Sequence, residues 1–259
     1  MGNADETAVV AQQTQPIVGV EQINPTTVDI LFADHRRMTF DFYGENIFRM
    51  FQDNNGGIIR DPEAKPEAQI LVDNPRKPVY KLEIKDADGQ ITITTNRIRL
   101  QLDKATALLK VWSFSADQFV FEEAKPVAYE KGKTVLTLKE QPDEYFFGGG
   151  VQNGRFSHKG KAIAIVNENS WTDGGVASPT PFYWSTSGYG FMWYTFKPGK
   201  YDFGADEKGL VKLSHETDYL DVFFMVNNGD DTEKPFTPSL SSALLNDFYQ
   251  LTGNPVLLP

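Results

Sequence analysis

Two segments of the chain carry the residue types that can contact a ligand. The first, Asn167-Glu-Asn-Ser-Trp-Thr-Asp-Gly-Gly-Val-Ala-Ser-Pro-Thr-Pro181, is a polar stretch with one Trp and one Asp. Such a loop can hold a sugar: the ring stacks on Trp171 and the hydroxyls bond to the Asp173 carboxylate. Loops on a rigid scaffold are where binding residues concentrate. The plainer alternative is a connecting loop whose Trp171 packs back on the protein, and the residue types alone favour it. The second segment runs Glu144-Tyr-Phe-Phe-Gly-Gly-Gly-Val-Gln-Asn-Gly-Arg-Phe-Ser-His-Lys-Gly160. A glycine triplet after aromatics lets backbone pass close to a ligand or a neighbouring strand. It lacks the Lys-Ser/Thr of a phosphate loop, and no helical pattern follows it as a dinucleotide fingerprint requires. A bulge and turn in a sheet is the simpler reading.

Other candidates carry less. The three histidines are His35, His158 and His215. A sugar-ring-opening epimerase pairs a His acid with a Glu base, and His158 after the glycine triplet is the one His placed to face a groove. No second His stands near it, and no paired spacing suggests a metal site. His35 reads as a turn residue, and His215 ends a strand. The acidic turn Asn227-Asn-Gly-Asp-Asp231 lacks the alternating ligands of a calcium loop and reads as solvated. No metal and no cofactor is expected.

These segments sit among period-2 patterns of apolar residues, the mark of half-buried strands. Strands are predicted at 17–23, 27–32, 37–43, 47–51, 79–84, 91–95, 98–102, 108–113, 119–122, 134–139, 162–167, 182–186, 190–196, 211–214 and 220–226. Asp86-Ala-Asp-Gly89 predicts a hairpin turn, and Ser187-Gly188 a second between two aromatic strands. The stretch 53–78 is rich in Pro, Gly, Asp and Asn and reads as a long surface loop. One helix is predicted at 237–252, with Thr237 as N-cap, Pro238 at the first helical position and Gly253 just past the end. Leu240, Leu244, Phe248 and Leu251 form its apolar stripe. It should pack on the sheets or lie partly exposed. The fold class is all-β, a large antiparallel sandwich with one C-terminal helix. The domain assignment is a tail at 1–15, a sandwich at 16–236, and helix plus linker at 237–259.

Bulk properties limit the partners. The chain has 259 residues, 40% hydrophobic and 23% charged, so a packed core is expected. Its net charge of −10 leaves no basic footprint for nucleic acid. There is no cysteine, which excludes disulfides, thiolate metal sites and cysteine nucleophiles. No apolar run approaches the ~20 residues of a membrane span, and no signal peptide is present. Met1-Gly2 reads as a start placed after a removed export signal, which would make the protein periplasmic or cell-surface. The ending Asn254-Pro-Val-Leu-Leu-Pro259 follows the helix directly and reads as a truncation.

The two glycine-rich segments also carry a resemblance. Tyr145-Phe-Phe-Gly-Gly-Gly, Gln152-Asn-Gly and Ser157-His-Lys-Gly are followed by Trp171-Thr-Asp-Gly-Gly-Val-Ala-Ser-Pro. Pro181-Phe-Tyr-Trp-Ser-Thr and Gly188-Tyr-Gly come next. This order resembles glycoside hydrolase family 31, most of all its bacterial branch of cycloalternan-forming and cycloalternan-degrading enzymes. The resemblance implies an N-terminal sandwich of galactose-mutarotase type that precedes a (β/α)8 barrel. The helix with Thr252-Gly-Asn-Pro resembles the segment leading into the first barrel strand. Retaining glycosidases need two carboxylates ~5–5.5 Å apart. In the family both lie on barrel strand ends, and no such motif occurs in this sequence. The resemblance therefore implies no catalytic residue here, a parent that is a retaining α-glucosidase or transglucosidase, and an α-glucan or oligosaccharide as partner. It also implies a loop reaching over the barrel mouth, with Asp173 matching its acidic residue and Trp171 and Asn169 beside it. A stand-alone carbohydrate-binding module and an aldose epimerase are the rival readings.

Overall fold

The computed structural model describes residues 15–54, 69–113, 118–154, 156–227 and 239–255. Among them are seventeen strands and one helix. The strands are β1 (Ile17–Asn24), β2 (Thr27–Phe32), β3 (Arg37–Gly44), β4 (Ile47–Asp53), β5 (Glu83–Ala87), β6 (Gln90–Thr94), β7 (Ile98–Asp103), β8 (Leu109–Ser113) and β9 (Gln118–Glu130). They continue as β10 (Lys133–Lys139), β11 (Phe146–Gln152), β12 (Ala162–Ile165), β13 (Val176–Ser185), β14 (Tyr189–Trp193), β15 (Gly199–Phe203), β16 (Leu210–His215) and β17 (Tyr219–Val226), and α1 is Leu240–Thr252. Every pairing is antiparallel. One sheet orders β1-β2-β3-β4-β17-β14-β13-β11, the other β12-β15-β16-β10-β9-β8-β7-β6-β5. The all-β sandwich with one C-terminal helix is what the sequence predicts.

The strand patterns explain the layering. β6, β7 and β8 alternate strictly between buried and less buried residues, as strands with one face on the core must. Their inward side chains, among them Ile91, Ile93, Leu100 and Val111, join a single core with Phe48, Phe191, Val222 and Phe224 of the facing sheet. Aromatic rings bridge the two sheets: Phe121 stacks on Phe224 at 4.6 Å, and Phe146 on Phe203 at 4.7 Å. Strands β4, β14 and β17 are instead buried almost throughout. Their outer face lies under α1 and the segment at 69–82. Tyr43, Ile47, Met192, Phe223 and Met225 form a second apolar cluster there with Leu244 and Leu251 of the helix.

That cover is also pinned by polar contacts. Phe248 stacks on Phe182 at 4.1 Å. Gln250 Nε2 donates to Tyr43 O and Pro75 O, both at 2.9 Å, and Asn46 Nδ2 donates to Asp247 at 2.8 Å. The helix begins later than the sequence predicts. Ser239 is the N-cap, its hydroxyl accepting from Ser242 N, while Thr237 and Pro238 lie outside the described residues. Both are acceptable cap residue types, so composition alone does not choose between the two starts. Gly253 does close the helix, its N–H donating to Tyr249 O at 2.8 Å.

Further strand assignments change: the strand predicted at 119–122 extends over Gln118–Glu130, that at 182–186 over Val176–Ser185, and that at 190–196 ends at Trp193. The strand predicted at 79–84 begins only at Glu83, because Val79 and Leu82 pack against the core from irregular backbone. β15, with sequence Gly-Lys-Tyr-Asp-Phe, carries too few apolar residues for the pattern to be seen. The glycine triplet belongs to an edge strand, β11. The turn at Asp88-Gly89 is as expected, both residues taking positive φ.

Leu244 is fully buried under the helix. Leu244→Ala should cost about 2–5 kcal/mol, because the helix and sheet cannot both collapse into the space. The urea midpoint measures it, and a loss below 1 kcal/mol would mean that α1 contributes little to folding.

Candidate functional site

The loop between β12 and β13 crosses from one sheet to the other, so it stands at an end of the sandwich rather than on a face. Its backbone is closed by its own hydrogen bonds. Ser170 N donates to Val176 O at 2.7 Å, and Gly175 N to Thr172 O at 2.9 Å. The tip following β11 zips against it: Gly174 N donates to Asn153 O at 2.9 Å, and Asn153 N to Gly175 O at 3.0 Å. Asn153 Nδ2 adds a bond to Ser170 O at 2.8 Å. With so many backbone groups satisfied internally, the side chains at the tip are displayed on a fixed frame.

Trp171 is 73% exposed. It does not pack back on the sandwich, which is the outcome its residue type alone favours. Its indole N–H donates to Asn169 Oδ1 at 2.9 Å, which fixes the ring's direction. Asn169 has φ 51°, a left-handed conformation that Asn tolerates better than most residues. Its amide therefore orients Trp171, a role not visible from spacing. Asp173 is exposed, and its carboxylate lies over the α-carbon of Gly154 at the tip after β11. The structure thus gathers Asn169, Trp171 and Asp173 on one loop tip.

The glycine triplet serves this arrangement. Gly148, Gly149 and Gly150 all have φ between 76° and 114°. A Cβ on Gly148 would lie 2.8 Å from Phe182 O, and one on Gly150 would strike Ser178 O. Only glycine permits both the conformation and the close approach to β13. The strand is bulged there, with the register shifting between Gly148 and Gly150. The bulge is what the sequence suggested, and the turn follows it at Asn153-Gly154, where β11 ends.

His158 and His215 both leave the surface. His158 is buried, stacked 5.7 Å from Phe203, with Nε2 2.8 Å from Gly148 O, so it faces no groove. His215 is buried under Trp193, with Nδ1 donating to Lys197 O at 2.7 Å. That bond requires a proton on Nδ1, so in the neutral ring Nε2 accepts from Tyr201 Oη at 3.0 Å. His35 lies in a turn with φ 69°. Of the acidic turn 227–231, only Asn227 is described.

The comparisons with known proteins bear on this geometry. Residues 37–202 match the family model described as the glycosyl hydrolase 31 N-terminal galactose mutarotase-like domain. The chain belongs to this family. Solved structures agree on the fold of this family 31 domain. A mutant dextranase of the family from Flavobacterium johnsoniae, complexed with isomaltotriose, superposes with a TM-score of 0.80 at 17% identity over 96% of this chain. The cycloalternan-forming enzyme of Listeria monocytogenes, with a pentasaccharide substrate, gives 0.74 at 16% identity over 95%. A family 31 α-xylosidase from a soil metagenome, complexed with xylose, gives 0.69 at 18% identity over 92%. The family 31 domain spans 29%, 23% and 35% of those chains respectively. Comparison with curated proteins finds no match.

Burial lowers the pKa of His215 to about 4, against which its bond to Lys197 O acts only weakly. The unfolded chain takes up this proton near pH 6.5, before the folded one does. Stability from the neutral ring is thus fully present above pH 6.5 and is lost as pH falls through 4. The loss should be on the order of 3 kcal/mol relative to His215→Gln, which does not titrate. Urea unfolding of both proteins between pH 7 and pH 4 measures the difference in slope. Parallel curves would refute it.

Proposed function

We infer that the chain is the N-terminal accessory domain of a retaining α-glucosidase or α-glucosyltransferase. It packs on a catalytic barrel supplied by the rest of the parent protein and places its 166–175 loop at the sugar pocket. The observation that carries this reading is Trp171, exposed and oriented by Asn169, two residues before the exposed Asp173 on a hydrogen-bonded loop. An apolar ring with a carboxylate on the same loop is the pairing that pyranose recognition uses: stacking for the face, hydrogen bonds for the rim. The oligosaccharide complexes among the structural relatives support the substrate class.

A second surface supports the docking. Phe147 stacks on Trp184 at 4.5 Å and meets Phe156 edge-on at 5.4 Å, and Phe156 is exposed. Trp184 also borders the cluster under α1, so this aromatic surface continues outward from the helix. Exposed apolar patches of this kind mark protein contacts. Aldose epimerisation has less support, because His158 and His215 both place a ring nitrogen on a backbone carbonyl inside the core.

By this reading the chain supplies no nucleophile. The purified 259-residue protein should leave an aryl α-glucoside at the buffer rate, since the double-displacement route needs a carboxylate pair. Turnover above buffer that a point substitution in this chain abolishes would refute the assignment.

Asp173→Ala separates a binding role from a structural one. In this domain an exposed carboxylate should change stability by no more than ~0.5 kcal/mol. In the full-length enzyme, a charge-assisted hydrogen bond to a sugar hydroxyl is worth roughly 1.5–3 kcal/mol. Its loss should lower kcat/KM about 10- to 150-fold, for hydrolysis and transfer alike. A collapsed melting temperature would make Asp173 structural, and an unaffected parent enzyme would remove it from the site.

A further inference from the structure

A hollow of about 490 Å³ lies at the foot of the same loop. It opens where the end of β12, the middle of β13 and the 195–198 crossover between the sheets meet. Its size falls in the range of small-molecule sites, ~300–1,000 Å³. Phe196 stands at its side with 71% of its surface exposed. Pro179, Pro181 and Pro198 contribute apolar lining, and Asn167, Ser178 and Lys197 line the same space.

Two features suggest a built site rather than a surface dent. The crossover is held in shape from below. Lys197 O accepts from His215 Nδ1 at 2.7 Å, and Tyr201 Oη sits 3.0 Å from His215 Nε2 and 3.2 Å from Pro181 O. The Tyr201 hydroxyl has one proton, whose hydrogen bond His215 Nε2 accepts in the neutral ring, so the buried Tyr–His pair holds the Lys197 wall by hydrogen bonds and lies against the Pro181 wall. Lys197 N also donates to Thr195 Oγ1 at 3.1 Å, which closes the turn that projects Phe196. A large aromatic ring is thus held outward by a framework whose own polar groups are satisfied. The prolines add walls with little conformational freedom to lose on binding.

We propose that this hollow is a second saccharide-contacting site, taking a neutral pyranose unit with its face on Phe196 and its hydroxyls on Asn167, Ser178 and Lys197. Flat apolar surface beside neutral donors and acceptors suits a sugar face and rim. A phosphorylated ligand fits less well, because among the described residues Lys197 is the one cationic side chain lining the hollow. The site is distinct from the Trp171 tip, although Asn167 opens and Ser178 follows the same loop. The proposal rests on the reading of this chain as a carbohydrate-enzyme domain, and it adds a site that does not need Asp173.

The test is a titration of the 259-residue protein with isomaltotriose and with maltotriose, followed by amide NMR shifts. Saturable shifts at Asn167, Ser178 and 195–197, with a dissociation constant in the millimolar range, are expected for at least one of them. Phe196→Ala should weaken binding about tenfold, which corresponds to about 1.4 kcal/mol. Its melting temperature should hold, since the ring is exposed. Tyr80→Ala, which removes an exposed aromatic ring outside the hollow, should leave the affinity unchanged. No saturable shift with either sugar overturns the proposal. So does an affinity that Phe196→Ala leaves unchanged, or one that falls with Tyr80→Ala instead. None of those outcomes touches the accessory-domain reading, which stands or falls on Asp173→Ala in the parent enzyme.

Discussion

Strands β4, β17 and β14 are buried on both faces, and much of the remaining architecture follows from that constraint. Their inner side chains meet the facing sheet, and their outer ones need a second cover. Pairing two sheets provides only the first. The helix and the 69–82 segment provide the other, which is why an all-β domain ends in an amphipathic helix. The constraint also decides how charge is handled. Arg49 and Asp221 lie on neighbouring strands of that outer face, joined by two 2.7 Å bonds and almost fully buried. The guanidinium rests over the rings of Tyr194 and Phe223. Burial alone would lower the pKa of Arg49, but Asp221 overrides it and holds the charge. Removing either partner would leave an uncompensated charge under the cover, at a cost of about 3–5 kcal/mol.

Once both faces of the central strands are occupied, one end of the sandwich offers freely displayed backbone. The β12–β13 loop and the 194–198 crossover meet there, and each passes from one sheet to the other. Such crossings are flexible unless tied. Here the first is closed by Asn153 and its own turn bonds, and the second by His215 and Tyr201. The buried, neutral His215 ring acts as a strut between the Lys197 carbonyl and the Tyr201 hydroxyl. Display of side chains at this end is therefore bought with buried hydrogen bonds inside the core.

How much of this was legible in the sequence depends on which interaction fixed each element. Strands with one wet face, such as β6 to β8, announce themselves by alternation and were placed within a residue or two. Asp88-Gly89 announces its hairpin because few other residues adopt that turn. β15 gave no signal, because Tyr201 and Phe203 are its only large apolar residues and their burial comes from Phe146, Tyr183 and Phe191 of the facing sheet. The glycine triplet signalled close approach correctly but not its partner, since nothing local says that β13 will lie 2.8 Å from a missing Cβ. At the candidate site, Trp171 and Asp173 were readable as residue types. The bond between Asn169 and the indole was not, because it depends on a left-handed backbone at Asn169. Phe196 was absorbed into a predicted strand at 190–196. The strand ends at Trp193 because Thr195 turns the chain toward the second sheet.

The exposed aromatics share one energetic logic. Burying a side chain of this size is worth about 1.5–3 kcal/mol, and Trp171 and Phe196 forgo most of it in this domain. Neither is exposed for want of support, since the backbone beneath each is hydrogen-bonded. The unburied area remains available to whatever covers it, at little further ordering cost because the rings are already held in place. For a sugar, which presents weakly apolar faces and a rim of hydroxyls, that saving matters more than for an apolar ligand. Stacking supplies a modest gain, and loop ordering could easily consume it. If saccharide contact is made at this sandwich end, the buried pairs that hold its backbone rigid contribute to it as much as the exposed rings do.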